Sequence, residues 1–142
     1  MKRLASVLVA VACALPVAGM AQGVPPAAAS CPGSGQTPNS QLLGLWRAVF
    51  DGLPQGATLL LEQHPELADS VRGGINRNGE RAQVAGDVHE GEFTLEESAD
   101  GVSITATWSG AVIDGSCGTE IRGDWQGAKE GIARAFVLRK LP

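Results

Sequence analysis

The sequence predicts an all-β fold, an eight-stranded antiparallel up-and-down barrel, and three observations predict it. Apolar residues recur with period two from Leu45 onward, the spacing of strands that bury one face. Turn-forming pairs such as Asn78-Gly79 and Asp100-Gly101 separate those stretches, where tight hairpins need residues that tolerate positive φ. After Pro65 there is no proline until Pro142, so a hydrogen-bonded ladder can run without a missing donor.

The chain has 142 residues, 44% hydrophobic and 18% charged, which is one domain's worth of polypeptide. Its start reads as an export signal over residues 1–21. Lys2 and Arg3 supply the charge, Leu4 to Val17 the apolar run, and Gly19-Met20-Ala21 the small residues before a cleavage at Gln22. The run is shorter than the roughly 20 residues that span a bilayer, and no second one follows, so no stable membrane insertion is expected. A lipid anchor at Cys13 has only Ala10-Val11-Ala12 before it, a poor match to what such anchoring needs. A periplasmic or secreted protein is the expectation.

Residues 22–40 are rich in Pro, Ala, Gly and Ser, with Pro25, Pro26, Pro32 and Pro38, and read as a linker. The barrel domain is then 41–142. Its strands fall at about 45–50, 57–63, 69–76, 80–88, 91–97, 102–110, 118–126 and 131–139. Gly52 to Gly56 turns the chain first; His89-Glu90-Gly91, Asp114-Gly115 and Gly127 to Gly131 turn it later. The clearest alternation is Val102-Ser103-Ile104-Thr105-Ala106-Thr107-Trp108, apolar on one face and hydroxylic on the other. Eight such strands in a row leave two edges unless the first pairs with the last, and an even number makes that pairing antiparallel. Inward glycines at 73, 86, 110 and 123 would permit tight coiling. A two-sheet sandwich from the same strands is the alternative.

Removal of the leader would take Cys13 with it and leave Cys31 and Cys117. In an oxidising compartment they allow one bridge, a staple worth roughly 4 to 5 kcal/mol in the chain-entropy model. A redox-active pair would want a close motif such as C-x-x-C, and none is present.

Charge narrows the function classes. The formal charge is −4, and losing Lys2 and Arg3 deepens it by two, so nucleic acid is not an expected partner. Enzyme chemistry has little to build on, and no cofactor or metal is expected. His64 and His89 are the only histidines, in no metal-ligand spacing. Glu90, Glu92, Glu96, Glu97 and Asp100 read as solvated charges rather than a catalytic carboxylate pair. Asp114-Gly115-Ser116 is too poor in oxygen ligands for calcium.

Gly44-Leu45-Trp46 at the opening of the first strand, after a helical turn capped by Ser40, resembles the G-x-W signature of the calycins, the meander barrels that include lipocalins, fatty-acid-binding proteins and avidins. The resemblance implies that Trp46 packs at a closed end, with a basic residue of the last strand lying across it. Arg139 stands at the matching place, with Arg134 its rival. The length resembles an avidin, but the chain has no Tyr and no match to the Asn, Ser and Tyr donors that hold biotin.

The expected inward set is Trp46, Ala48, Phe50, Leu59, Leu61, Val71, Ile75, Ala82, Val84, Val88, Phe93, Leu95, Ile104, Ala106, Trp108, Ile121, Trp125, Phe136 and Leu138. An eight-stranded barrel is just wide enough to be filled by such side chains or to hold one small ligand. Two functions follow: non-catalytic binding of a small apolar ligand inside the barrel, or a solid-cored protein-interaction or inhibitor module that meets an envelope or extracellular protein through its acidic outer face. For the first, strand direction places Trp125 at the mouth as the ligand contact, with Phe93 and Trp108 deeper and Trp108 near the closed end beside Trp46.

Overall fold

The computed structural model describes residues 30–129 and 131–142; the expected signal segment and residues 22–29 lie outside them. Two short 3-10 turns, Ser34–Gln36 and Asn39–Leu42, precede eight strands. These are β1 (Gly44–Phe50), β2 (Ala57–Gln63), β3 (Val71–Arg77), β4 (Glu80–His89), β5 (Glu92–Ser98), β6 (Ala106–Val112), β7 (Glu120–Gly127) and β8 (Ala133–Lys140). Each pairs antiparallel with the next, and β8 returns to β1 in register from Trp46 opposite Lys140 to Phe50 opposite Phe136. The sheet is therefore a closed up-and-down barrel, and no edge is left unpaired. Among the described residues no helix is long and apolar enough to cross a membrane.

Alternation explains the burial. In β1, Trp46, Ala48 and Phe50 point in while Leu45, Arg47 and Val49 point out, and β2 and β5 repeat the pattern. The hairpin chemistry is local: Asn78 and Gly79 have φ of 49° and 97°, and Glu90 and Gly91 of 49° and 85°, as a two-residue turn matched to strand twist requires. Glycine at 73 and 123 is a demand of coiling, since a Cβ there would strike the carbonyl oxygens of Leu60 and Ser109.

The sixth strand departs from expectation. It begins at Ala106 rather than 102, although the alternation of Val102 to Thr105 is the most regular in the chain. The carboxylate of Asp100 accepts hydrogen bonds from the N–H groups of Val102 (2.8 Å) and Ser103 (2.7 Å), an Asx-type turn that curls this stretch away from the ladder. Val102 is 86% exposed and Ile104 44%, so neither joins the core. Local side-chain capping outcompetes the alternation.

The closed end is built by the chain before β1. Asn39–Leu42 forms a 3-10 turn that begins after Pro38, so Ser40 sits inside it rather than capping it. Leu42 and Trp46 are fully buried, and the Trp46 indole donates to the Leu42 carbonyl at 2.7 Å. The cation over Trp46 is Lys140, whose Nζ lies 5.7 Å from the ring centroid and donates to the Gln41 carbonyl at 2.6 Å. Arg139 is instead on the outside, bonded to Glu120. The reason is the strand period: Phe136, Leu138 and Lys140 share the inner face, which sends Arg139 outward.

Residues 30–40, linker-like by composition, are held against the barrel. Cys31 is bridged to Cys117 with their Cα atoms 4.9 Å apart, and the Ser34 N–H donates to Asp114. The Asn39 amide accepts from the Val88 N–H at 2.8 Å and donates to the Val88 carbonyl at 3.2 Å, as a strand residue would.

Candidate functional site

The end opposite Trp46 is the mouth, where β1, β3, β5 and β7 finish. β5 alternates Phe93, Leu95, Glu97 on its inner face, so Glu97 points into the barrel and is 2% exposed. This corrects its assignment to the solvated acidic run; Glu92 and Glu96 do face outward. On β3 the same alternation carries Val71 and Ile75 inward and ends on Arg77.

Arg77 grips Glu97 with both terminal nitrogens: Nη1 donates to Oε2 at 2.7 Å and Nη2 to Oε1. Oε1 also accepts the indole N–H groups of Trp108 (2.6 Å) and Trp125 (2.9 Å). Taking a carboxylate out of water costs several kcal/mol unless a partner charge and hydrogen bonds compensate, and here one bidentate guanidinium and two indoles do so. Among the described residues every buried side-chain nitrogen and oxygen has a partner. The guanidinium also lies over aromatic rings, its carbon 5.4 Å from the Trp125 centroid, 5.5 Å from Phe50 and 6.0 Å from Trp108.

The expected ligand contacts fall into this arrangement differently from the sequence reading. Trp108 and Trp125 are cross-strand partners, not residues at opposite ends, because β6 starts four residues late and Trp108 is therefore near its beginning. Trp125 is half-buried at the mouth, and Trp108 is buried beneath it. Phe93 is fully buried and meets Phe136 edge-on at 6.4 Å. Phe136 in turn lies 4.7 Å from Trp108, which lies 5.2 Å from Phe50. Trp125 joins through Phe50, 6.0 Å away, and among the described Trp and Phe residues only Trp46 is outside this chain of contacts. The pair that sequence reasoning missed had a usable signal: one step of alternation past Leu95 reaches Glu97, and one past Ile75 reaches Arg77.

Glu97 accepts four N–H groups from fixed partners, three on Oε1 and one on Oε2, and the lumen around it is occupied by rings.

A concavity of about 300 Å³ lies at the mouth beside Arg77, between Leu53, Pro54, Gln55 and Gly56 of the β1–β2 loop and Asn78 and Glu80 of the β3–β4 turn, and larger ones lie on the outer wall. One of about 530 Å³ runs over β4, β5 and β6, with Asp87, Thr94, Glu96, Thr107 and Ser109 in its lining. Register sets Asp87, Thr94 and Ser109 of this lining side by side, and Asp124 on β7 continues the row beyond it, so two carboxylates bracket two hydroxyls. His64 lies at its edge with Nδ1 accepting from the N–H groups of Glu66 and Leu67, which commits that nitrogen to its turn. Elsewhere, Arg122 first and Arg139 second hold the Glu120 carboxyl below its usual range.

Protein-family models give no match to this chain, and neither do curated proteins.

Proposed function

We propose that this protein is an exported, non-catalytic partner-binding module, a barrel with a solid core that acts through its outer wall. The observation that carries the reading is the Glu97–Arg77 pair under Trp108 and Trp125, which occupies the mouth where a lumen ligand would enter. The Asp87–Thr94–Ser109–Asp124 row supports a partner with exposed cationic groups. Kinship with the calycins is part of the proposal, supported by the closed meander and by Trp46 under a basic residue of β8. So is a periplasmic or extracellular setting, supported by the Cys31–Cys117 bridge.

The test pairs two titrations of the folded protein. A lysine-rich peptide is expected to bind saturably, to weaken as ionic strength rises, and to be lost in Asp87→Lys/Asp124→Lys. A panel of apolar small molecules is expected to leave tryptophan fluorescence unchanged. A saturable fluorescence response abolished by Trp125→Phe would overturn the reading in favour of a small apolar ligand within the barrel.

A further inference from the structure

Gly73 and Gly74 are neighbours on β3 with opposite reasons for being glycine. At Gly73 a Cβ would strike the Leu60 backbone, so the barrel requires its absence. At Gly74 the nearest atom a Cβ would meet is the Ala82 carbonyl oxygen at 3.8 Å, an ordinary contact. Its φ is not in the positive region either. A strand interior favours almost any side chain over glycine there, so the fold leaves this bare position unexplained.

Its surroundings supply an explanation. Gly74 faces outward on the floor of a groove of about 670 Å³ that crosses β1 to β4. Register aligns two rows of outward residues in it. One is Leu45, Leu60 and Gly74; the other is Arg47, Thr58, Asn76 and Arg81. Leu45 and Leu60 are 41% and 49% exposed. Arg47 and Arg81 bracket the second row, and among the described residues neither has a carboxylate within ion-pairing distance. In an acidic chain this wall therefore presents uncompensated positive charge beside an apolar floor, on a different side of the barrel from the acidic row.

We propose that this groove docks an extended segment of a partner protein that carries two carboxylates with an apolar residue between them. The carboxylates pair with Arg47 and Arg81, three interstrand spacings or roughly 14 Å apart, a span of about four residues of extended chain. The apolar side chain settles over Leu60 into the space above Gly74. Charge complementarity chooses the partner, and the missing side chain makes room for it. This surface shares no residue with the acidic row, so either can fail without the other.

The experiment uses a short synthetic peptide in which two glutamates about four residues apart flank a leucine, titrated against the intact protein and followed by backbone amide shifts. Saturable shifts confined to β1 through β4 are expected. Arg47→Glu/Arg81→Glu should abolish them, and Gly74→Val should weaken binding by roughly tenfold through steric exclusion while leaving Tm unchanged or raised. The proposal is overturned by absence of binding, by equal binding of a peptide with lysines in place of the glutamates, by binding that Gly74→Val leaves intact, or by a fall in Tm in that variant. Capture of anionic lipid vesicles in place of the peptide also overturns it, in favour of a membrane surface.

Discussion

Trp108 and Trp125 stand directly opposite each other on β6 and β7, and both donate their indole N–H to the same carboxylate oxygen, Oε1 of Glu97. A non-polar barrel interior is thereby closed by one ion pair, and each partner's stability depends on the other.

Removing half of that pair should be costlier than removing both. Glu97→Ala leaves the Arg77 guanidinium without its carboxylate and two indoles without an acceptor, and should cost about 3 to 5 kcal/mol. A double change to apolar residues, Glu97→Leu/Arg77→Met, should recover a large part of the loss. Denaturant unfolding with unchanged slope measures both, and additive losses would show that the two residues are not coupled.

At the closed end, Trp46→Ala should cost about 3 to 5 kcal/mol as a large-to-small core change. Lys140→Ala should cost more than Arg139→Ala, because Lys140 covers the Trp46 ring and holds the Gln41 carbonyl, whereas Arg139 makes an exposed pair with Glu120. Equal effects of the two would mean that Lys140 does not close the barrel.

The bridge spans 86 residues of sequence, a loop for which the chain-entropy model gives roughly 4 to 5 kcal/mol. Cys117→Ser should lower Tm markedly, and intact mass of the oxidised protein should show no thiol that alkylates before reduction. The segment holding Ser34 should lose amide protection first, since its remaining anchors are few.

Asp100 makes a prediction about pH. The Ser103 N–H first, then that of Val102 and the Ser98 hydroxyl, hold its carboxyl well below the ordinary carboxylate range. A depressed folded-state pKa means that the turn's contribution is complete above the unfolded value of about 3.8, and is lost as pH falls from there through the lower folded value. A carbon-detected titration should show Asp100 still ionised where ordinary aspartates have begun to protonate. Titration at the ordinary value would remove the physical basis given for the late start of β6.

The alternation and the turn pairs by themselves determined an eight-stranded meander and which face of most strands is core, and the expectation of a removed leader left Cys31 and Cys117 as the pair to bridge. Strands and faces are properties of neighbours in sequence, and period two reports them directly. Where β6 begins was decided by Asp100, whose capping of Val102 and Ser103 competes with a regular alternation. A single register step in β8 decided that Lys140 and not Arg139 meets Trp46. The meeting of Glu97, Arg77, Trp108 and Trp125 depends on how far four separate strands run toward one end of a closed barrel. Sequence periodicity gives each residue a face. Only closure of the barrel gives it a height and a neighbour across the lumen, and burial of a charge becomes affordable only when both are right.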